Sequence, residues 1–294
     1  MTEPDFDLVR ATRANEPQHI AALQANRKRR PLLGDDGKLF ILAIDHPARG
    51  ALGVGNDPMA MANRYELLER VVEALRMPGV DGVLGTPDIL EDLLLLGALE
   101  NKIVVGSMNR GGLRGAEFEL DDRFTAYTAE SIVEAKFDFA KLLLRIDLAD
   151  RGTANTMEAS ARAITAAAAL RLPIMVEPFI SARVGGTVQN DLSTDAVIRS
   201  VAISAGLGET SAYTWLKIPV VEDMARVMEA TTLPTLLLGG EPDSDEEATY
   251  DRWTEAVALP GVRGLVVGRS LLYPPSGDVA SAVATAAAIV HGSR

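Results

Sequence analysis

Four ionisable residues stand inside otherwise apolar stretches of this chain. They are Asp45 in LFILAID (39–45), Lys141 in DFAKLLLRID (138–147), Glu177 in LPIMVEPFI (172–180) and Lys217 in YTWLKIPV (213–220). Burying any one of them alone costs several kcal/mol, so each must be paired, solvated in a pocket or neutralised. A lysine crowded by a second cation in a water-poor pocket has its charged form disfavoured, which makes a neutral amine available. Such an amine adds to a ketone to give a carbinolamine and then a Schiff base, and a neighbouring carboxylate shuttles the protons that dehydration requires. The iminium withdraws electrons, so the adjacent carbon–carbon bond breaks or forms without a metal. Two lysines, a glutamate and an aspartate are the parts that this reaction needs. The alternative is a closed ion-pair network that only fills space. Its weakness is that a purely structural network is commonly replaceable by apolar packing, and here four separate segments each carry a charge.

The segments that must position these residues form a series. With GVDGVLGT (79–86), NKIVVGS (101–107), LPTLLLGG (233–240) and VRGLVVGRS (262–270) there are eight near-continuously apolar runs, the signature of strands buried on both faces. Between them, stretches such as RYELLERVVEAL and MEASARAITAAAAL carry helical periodicity. Alternating strand and helix signals imply parallel βαβ units, and eight of them in 294 residues predict a (β/α)8 TIM barrel of the α/β class. No dinucleotide fingerprint follows the first run and no phosphate loop of the G-x-x-x-x-G-K-[ST] type occurs. The expected organisation is an N-terminal extension, 1–37, and one barrel domain, 38–294. The extension is partly helical and ends in Arg27-Lys28-Arg29-Arg30, which reads as a solvated basic face.

Barrel chemistry sits where strands end, at the carboxyl face. In the fourth run, alternation places Lys141, Leu143, Arg145 and Asp147 on one side, so a single strand contributes two cations if that side faces inward. Gly239 and Gly240 end the seventh run, and Gly268, Arg269 and Ser270 end the eighth. Glycine permits close backbone approach and arginine offers a bidentate fork, so this pair of loops reads as an anion site for a phosphorylated sugar derivative. His46 and Arg49 follow Asp45 directly, and Arg183 lies in SARVGGT after the fifth run. These three, with Arg145, are further candidates for a substrate hydroxyl or anion; for His46, packing within the first loop is an equal alternative. The Gly-rich stretch 107–127, with three arginines, is either a lid or a surface excursion. DSDEEA (243–248) reads as a solvated helix start rather than a metal site.

Composition narrows the function classes. Cysteine is absent, so disulfide scaffolds, thiolate zinc sites and cysteine nucleophiles are excluded, and with only His19, His46 and His291 a clustered imidazole site is disfavoured. The net charge of −12 argues against a nucleic-acid partner. No uninterrupted apolar stretch is long enough to span a bilayer, and the acidic start MTEPDFDLVR does not read as a secretory signal, so a cytoplasmic protein without a membrane partner is expected. No cofactor and no metal are expected; a homo-oligomer is left open.

The same segments carry a family likeness. DFAKLLLRID, LPIMVEPFI and WLKIP (215–219) resemble, in order, three strands of class I fructose-bisphosphate aldolases, the last of which bears the Schiff-base lysine. An aspartate ending the first strand and a Gly-Arg pair ending the eighth, here Asp45 and Gly268-Arg269, are similar to class I tagatose-bisphosphate aldolases. IDHPARG (44–50), GSMNRGGLRG (106–115) and FELDDRFTAY (118–127) resemble a group of actinobacterial aldolase-like barrels often labelled deoxyribose-phosphate aldolase and associated with inositol breakdown. The likeness spans about residues 38 to 275. It implies Lys217 as the imine lysine, with Lys141 as a rival, and Glu177 as the acid/base for the carbinolamine steps. Lys141 would lower the pKa of Lys217 and contact substrate oxygens, and Asp45 would take the hydroxyl proton whose loss drives cleavage. The implied activity is cleavage of a phosphorylated ketose or keto-acid to dihydroxyacetone phosphate and an aldehyde. Substrate candidates are 6-phospho-5-dehydro-2-deoxygluconate and fructose, tagatose or sulfofructose phosphates. Deoxyribose-phosphate aldolase and a non-catalytic sugar-phosphate-binding barrel are the alternatives. Tyr127 and Tyr213 are the tyrosines to consider as proton donors. Leu143 stands where some fructose-bisphosphate aldolases have a second arginine, which favours one phosphate, or a phosphate and a carboxylate, over two phosphates.

Overall fold

The first strand shows how the chain sorts its residues. Phe40, Leu42 and Ile44 join a large apolar cluster between strands and helices, while Leu39, Ile41 and Ala43 join a second cluster inside the barrel with Leu84, Val105, Phe139, Met175 and Val266. Alternation of side chains along a strand does this without further instruction. Carried forward, the same parity turns Asp45 inward after Ala43, Lys141 after Phe139, Glu177 after Met175 and Lys217 after Trp215.

The computed structural model describes residues 4–240 and 245–292. Helices α1 (Phe6–Asn15) and α2 (Gln18–Asn26) come first. Then follow β1 (Leu39–Ala43), α3 (Arg64–Arg76), β2 (Gly82–Gly85), α4 (Pro87–Leu95), β3 (Ile103–Ser107), α5 (Ala129–Glu134), β4 (Phe139–Ile146) and α6 (Gly152–Ala169). The second half runs β5 (Ile174–Val184), β6 (Thr187–Asn190), α7 (Thr194–Ala205), β7 (Thr214–Pro219), α8 (Met224–Glu229), β8 (Thr235–Leu238), α9 (Glu246–Val257), β9 (Val262–Val267), α10 (Arg269–Leu272) and α11 (Val279–His291). Eight parallel strands, β1 to β5 and β7 to β9, close into a ring in which β4 pairs with β5 and β9 with β1. The result is a (β/α)8 TIM barrel preceded by a helix pair. Among the described residues no helix is long and apolar enough to cross a membrane.

One strand departs from the eight expected. β5 runs past the barrel rim, and β6 folds back against it as an antiparallel hairpin, with Val184 opposite Thr187. Gly185 and Gly186 make the two-residue turn with φ of 58° and 85°, the positive values that a type I′ turn demands. Arg183 therefore lies within β5 rather than in a loop after it. At α9, Asp245 caps the helix by accepting from the Ala248 amide at 2.9 Å, so this part of the acidic cluster is a helix start; Asp243 and Ser244 lie outside the described residues.

The basic run does not behave as a solvated face throughout. Arg27 is buried, donates to the carbonyls of Lys102 (2.8 Å) and Lys136 (2.7 Å), and pairs with Asp138 at 3.0 Å. Arg29 takes the other Asp138 oxygen at 2.8 Å, and Arg30 pairs with Asp81. Asp81, Lys102 and Asp138 immediately precede or flank the starts of β2, β3 and β4, so the run straps the amino end of the barrel shut. The reason is local: carbonyls and carboxylates at strand starts need donors, and a guanidinium supplies up to five. Because the strap closes the end opposite to the strand termini that carry Lys217 and Glu177, it contributes stability rather than chemistry. Replacing Arg27 by Met (Arg27→Met) is expected to lower the unfolding free energy by about 3 kcal/mol, the low end for breaking a buried pair, because Arg29 keeps one Asp138 oxygen. Urea unfolding would measure it.

Candidate active site

At the carboxyl end of the barrel lies a cavity of about 1020 Å³. At its base the four inward-facing ionisable residues meet. Glu177 bridges two lysines, with Oε1 accepting from Lys217 and Oε2 paired with Lys141. Lys141 also reaches Asp45 Oδ2 at 3.1 Å, and Ser107 Oγ donates to the same oxygen at 3.0 Å. The register explains the proximity, since Ser107 pairs with Lys141 across β3–β4 and Leu143 with Glu177 across β4–β5. Lys217 and Glu177 line the cavity; Lys141 and Asp45 are buried behind that wall.

A fifth member of the cluster is Arg110, which ion-pairs with Asp45. With every group ionised, three cations (Lys141, Lys217, Arg110) face two carboxylates (Asp45, Glu177), an excess of one positive charge in a buried site. Loss of a proton from one lysine neutralises the cluster. Burial pushes the Lys217 pKa below the ordinary lysine range and Arg110 and Arg269 add to the push, against the opposing pull of Glu177. Lys141 is likewise lowered, by burial and then by Arg110. Glu177 lies well below the usual carboxylate range, because Lys141, Lys217 and Arg110 outweigh the effect of its burial. Lys141 does not line the cavity, whereas Lys217 has both a lowered pKa and a place on its wall.

The stretch 107–127 holds Arg110 in place. Asn109 Nδ2 donates to the carbonyls of Leu143 (2.6 Å) and Asp122 (2.9 Å), and its Oδ1 accepts from the Leu143 amide at 2.7 Å. Asp122 takes the Arg145 guanidinium at 2.9 Å and 2.6 Å. A Cβ at Gly112 would overlap the Glu119 carbonyl, so only glycine fits there. Both roots of the stretch are therefore fastened to β4, while Leu113 and Phe118 at its tip are exposed.

Of the expected binding residues, Gly239, Gly240, Gly268, Arg269, Arg145 and His46 all line the cavity. Gly268 sits where a Cβ would overlap the Ala43 carbonyl, which lets β9 end hard against β1. Arg145 reaches the wall with its guanidinium committed to Asp122. His46 is pushed well below the ordinary histidine pKa by burial and then by Arg269 and Lys217, so it acts as a neutral hydrogen-bonding group. Arg183 is not brought into the cavity; it is exposed on the hairpin and donates to the Glu117 carbonyl at 2.7 Å. Neither Tyr127, which packs in the outer core, nor Tyr213, which precedes β7, reaches the cavity wall. Arg49 does: its Nε and Nη1 are buried without a partner, and burial with Arg145 nearby brings its pKa down to about 10, which leaves it charged.

Sequence reasoning missed Arg110, Asn109 and Asp122. The signal was present for the first two, since they follow the third apolar run directly and residues just past a strand end are the ones that reach a barrel's mouth.

The arrangement is that of a closed (β/α)8 barrel with a buried lysine–carboxylate–lysine cluster at the base of the cavity at its carboxyl end. The chain belongs to the Cgl0159-like family, which it matches over residues 37–287. A crystal structure of Cgl0159 from Corynebacterium glutamicum (Brevibacterium flavum) is 65% identical, covers 97% of this chain and 96% of that chain, and superposes with a TM-score of 0.95. A Schiff-base-forming fructose-1,6-bisphosphate aldolase is 21% identical, covering 92% of this chain and 100% of that one at a TM-score of 0.69. A fructose-bisphosphate aldolase from Slackia heliotrinireducens DSM 20476 is 13% identical, covering 95% and 88% at a TM-score of 0.65. At these lower identities the likeness establishes the barrel alone. No match is found among curated proteins.

Glu177→Gln leaves two buried ammonium groups around an amide. It is expected to cost about 3–5 kcal/mol of stability at neutral pH. Lysines whose folded pKa is depressed destabilise the fold while charged, and that cost fades as pH rises toward their unfolded value of about 10. Urea unfolding of this variant should therefore show stability rising between neutral pH and pH 10, more steeply than in the wild type.

Proposed function

We propose that this protein is a class I aldolase in which Lys217 forms the imine. The observation that carries the reading is that Lys217 is the cavity-lining amine, buried, with a lowered pKa and in hydrogen-bond contact with Glu177. The likeness of its barrel to Schiff-base-forming aldolases supports it. In this mechanism the neutral Lys217 amine attacks a ketone. Glu177 takes up the proton that the Lys217 ammonium loses before the attack and returns it to the carbinolamine hydroxyl, which leaves as water. With the iminium formed, Asp45 accepts the substrate hydroxyl proton, the carbon–carbon bond breaks, an aldehyde departs, and the bonding electrons pass to the nitrogen as an enamine. Protonation of the enamine carbon and hydrolysis release the second product and restore the lysine. Lys141 holds Glu177 and Asp45 in place from behind.

Two sets of residues on the cavity wall support a substrate class. Gly239, Gly240, Gly268 and Arg269 form one wall that suits a phosphate. Arg49, with unpartnered buried donors, offers a second cation. A substrate with phosphate at one end and a second anion at the other fits both. Such a substrate class includes 6-phospho-5-dehydro-2-deoxygluconate, which the family resemblance alone puts first, with fructose, tagatose and sulfofructose phosphates next. Dihydroxyacetone phosphate is the expected common product.

Borohydride reduction in the presence of dihydroxyacetone phosphate should leave a stable adduct on the peptide containing YTWLKIPV. Lys217→Met should abolish it and lower turnover by four orders of magnitude or more; Lys141→Met should still form it, more slowly. The rate of adduct formation should rise with pH through the lowered Lys217 pKa and be insensitive to chelators. An adduct on Lys141 would transfer the nucleophile's role. An adduct with acetaldehyde alone would make the protein a deoxyribose-phosphate aldolase, and binding without any adduct would make it a non-catalytic barrel.

Arg269→Ala should raise KM for phosphorylated substrates by roughly 10- to 100-fold, the worth of one charge-assisted hydrogen-bonding group, with little change in kcat. Arg49→Ala should do so for substrates anionic at both ends and leave monophosphates unaffected. Steady-state kinetics on the two substrate types would separate these effects.

A further inference from the structure

The geometry points to Arg110 as a positioning residue through which Asp45 acts in carbon–carbon bond cleavage. This rests on the aldolase reading above, and it concerns a residue that no part of that reading employs.

Asp45 Oδ2 is held by three groups: Ser107 Oγ at 3.0 Å, Lys141 Nζ at 3.1 Å and the Arg110 guanidinium. Asp45 Oδ1 is buried and has no partner. One oxygen of the carboxylate is thus fully engaged, while the other keeps its accepting capacity unused. Arg110 belongs to the cavity wall, and its ion pair with Oδ2 ties the Asp45 carboxylate to that wall. Its place is fixed from the backbone up. Asn109 staples the preceding residue to β4, and the Arg110 amide donates to Thr125 Oγ1 at 3.3 Å.

Without Arg110, the strongest remaining partner of Asp45 is the ammonium of Lys141. A carboxylate facing a single cation turns to offer it both oxygens, which would withdraw Oδ1 from the substrate hydroxyl and draw Lys141 away from Glu177. Imine formation relies on Lys217 and Glu177, which Arg110 does not touch. Cleavage relies on the aim of Asp45. Loss of Arg110 should therefore separate the two halves of the reaction. Its charge also lies close enough to Lys217 to help keep that amine neutral, which gives a second readout.

The test uses the full-length protein and two assays. Borohydride trapping with dihydroxyacetone phosphate, followed across pH, reports imine formation. Condensation of dihydroxyacetone phosphate with the best of a panel of short aldehydes, glyceraldehyde 3-phosphate among them, reports the bond-making step that reverses cleavage. Arg110→Gln should still trap at the alkaline plateau with its pH midpoint displaced upward, while kcat for condensation falls by about 100-fold, as for a misplaced catalytic group. Arg110→Gln combined with Asp45→Asn should be no slower than Asp45→Asn alone, and Arg110→Lys should recover part of the loss. Additive losses in the double variant, or equal loss of trapping and condensation with the thermal midpoint unchanged, would overturn the assignment. Should Arg110→Gln fail to fold, Arg110→Lys carries the same test: its pH midpoint stays and its condensation defect vanishes on an Asp45→Asn background. If the wild-type protein forms no adduct, or traps but condenses none of the aldehydes, it is the aldolase reading that fails.

Discussion

A single carboxylate held between two buried lysines sets the terms for everything around it. Glu177 satisfies Lys141 with one oxygen and Lys217 with the other, and neither ammonium would be tolerated in the barrel interior without it. Arg110 makes the balance uneven by adding a third cation against two carboxylates. The interior then favours losing a proton from an amine, the condition that nucleophilic attack requires. The chemistry and the fold energetics are in this sense one electrostatic problem, solved at the same five side chains.

The two ends of the barrel use charge in opposite ways. At the amino end, Arg27, Arg29 and Arg30 are matched to carboxylates and carbonyls at strand starts, so the charges cancel and the end is sealed. At the carboxyl end, among the described residues, Lys141, Lys217 and Arg110 face Asp45 and Glu177, Arg49 keeps unpartnered donors, and an open cavity remains. Buried cationic donors such as those of Arg49 are complementary to an anionic substrate. That holds even though the chain as a whole carries a net charge of −12, because the field inside a cleft is set by the groups lining it.

Access separates the two lysines. Both are lowered by burial, but Lys141 lies behind Glu177 with Asp45 on its other side and does not line the cavity. Lys217 has a position on the cavity wall. Its partner is also a proton carrier, so contact with Glu177 serves the dehydration steps.

Much of this was legible in the residues in order. Eight apolar runs of strand length specified the barrel, and the charged residue in each of four runs fell on the inward parity set by its apolar neighbours, since side chains alternate along any strand. The glycines ending two late strands were likewise readable, as backbone approach depends on local geometry. What the order of residues left open were matters of distance between segments far apart in the chain. Arg27 buried under β3 and β4, Arg110 folded back onto Asp45, and Arg183 carried away on a hairpin are indistinguishable as sequence from solvated arginines. Only the closed ring decided which charges meet, because burial of a charge is settled by partners supplied from other strands and not by its own neighbours in the chain.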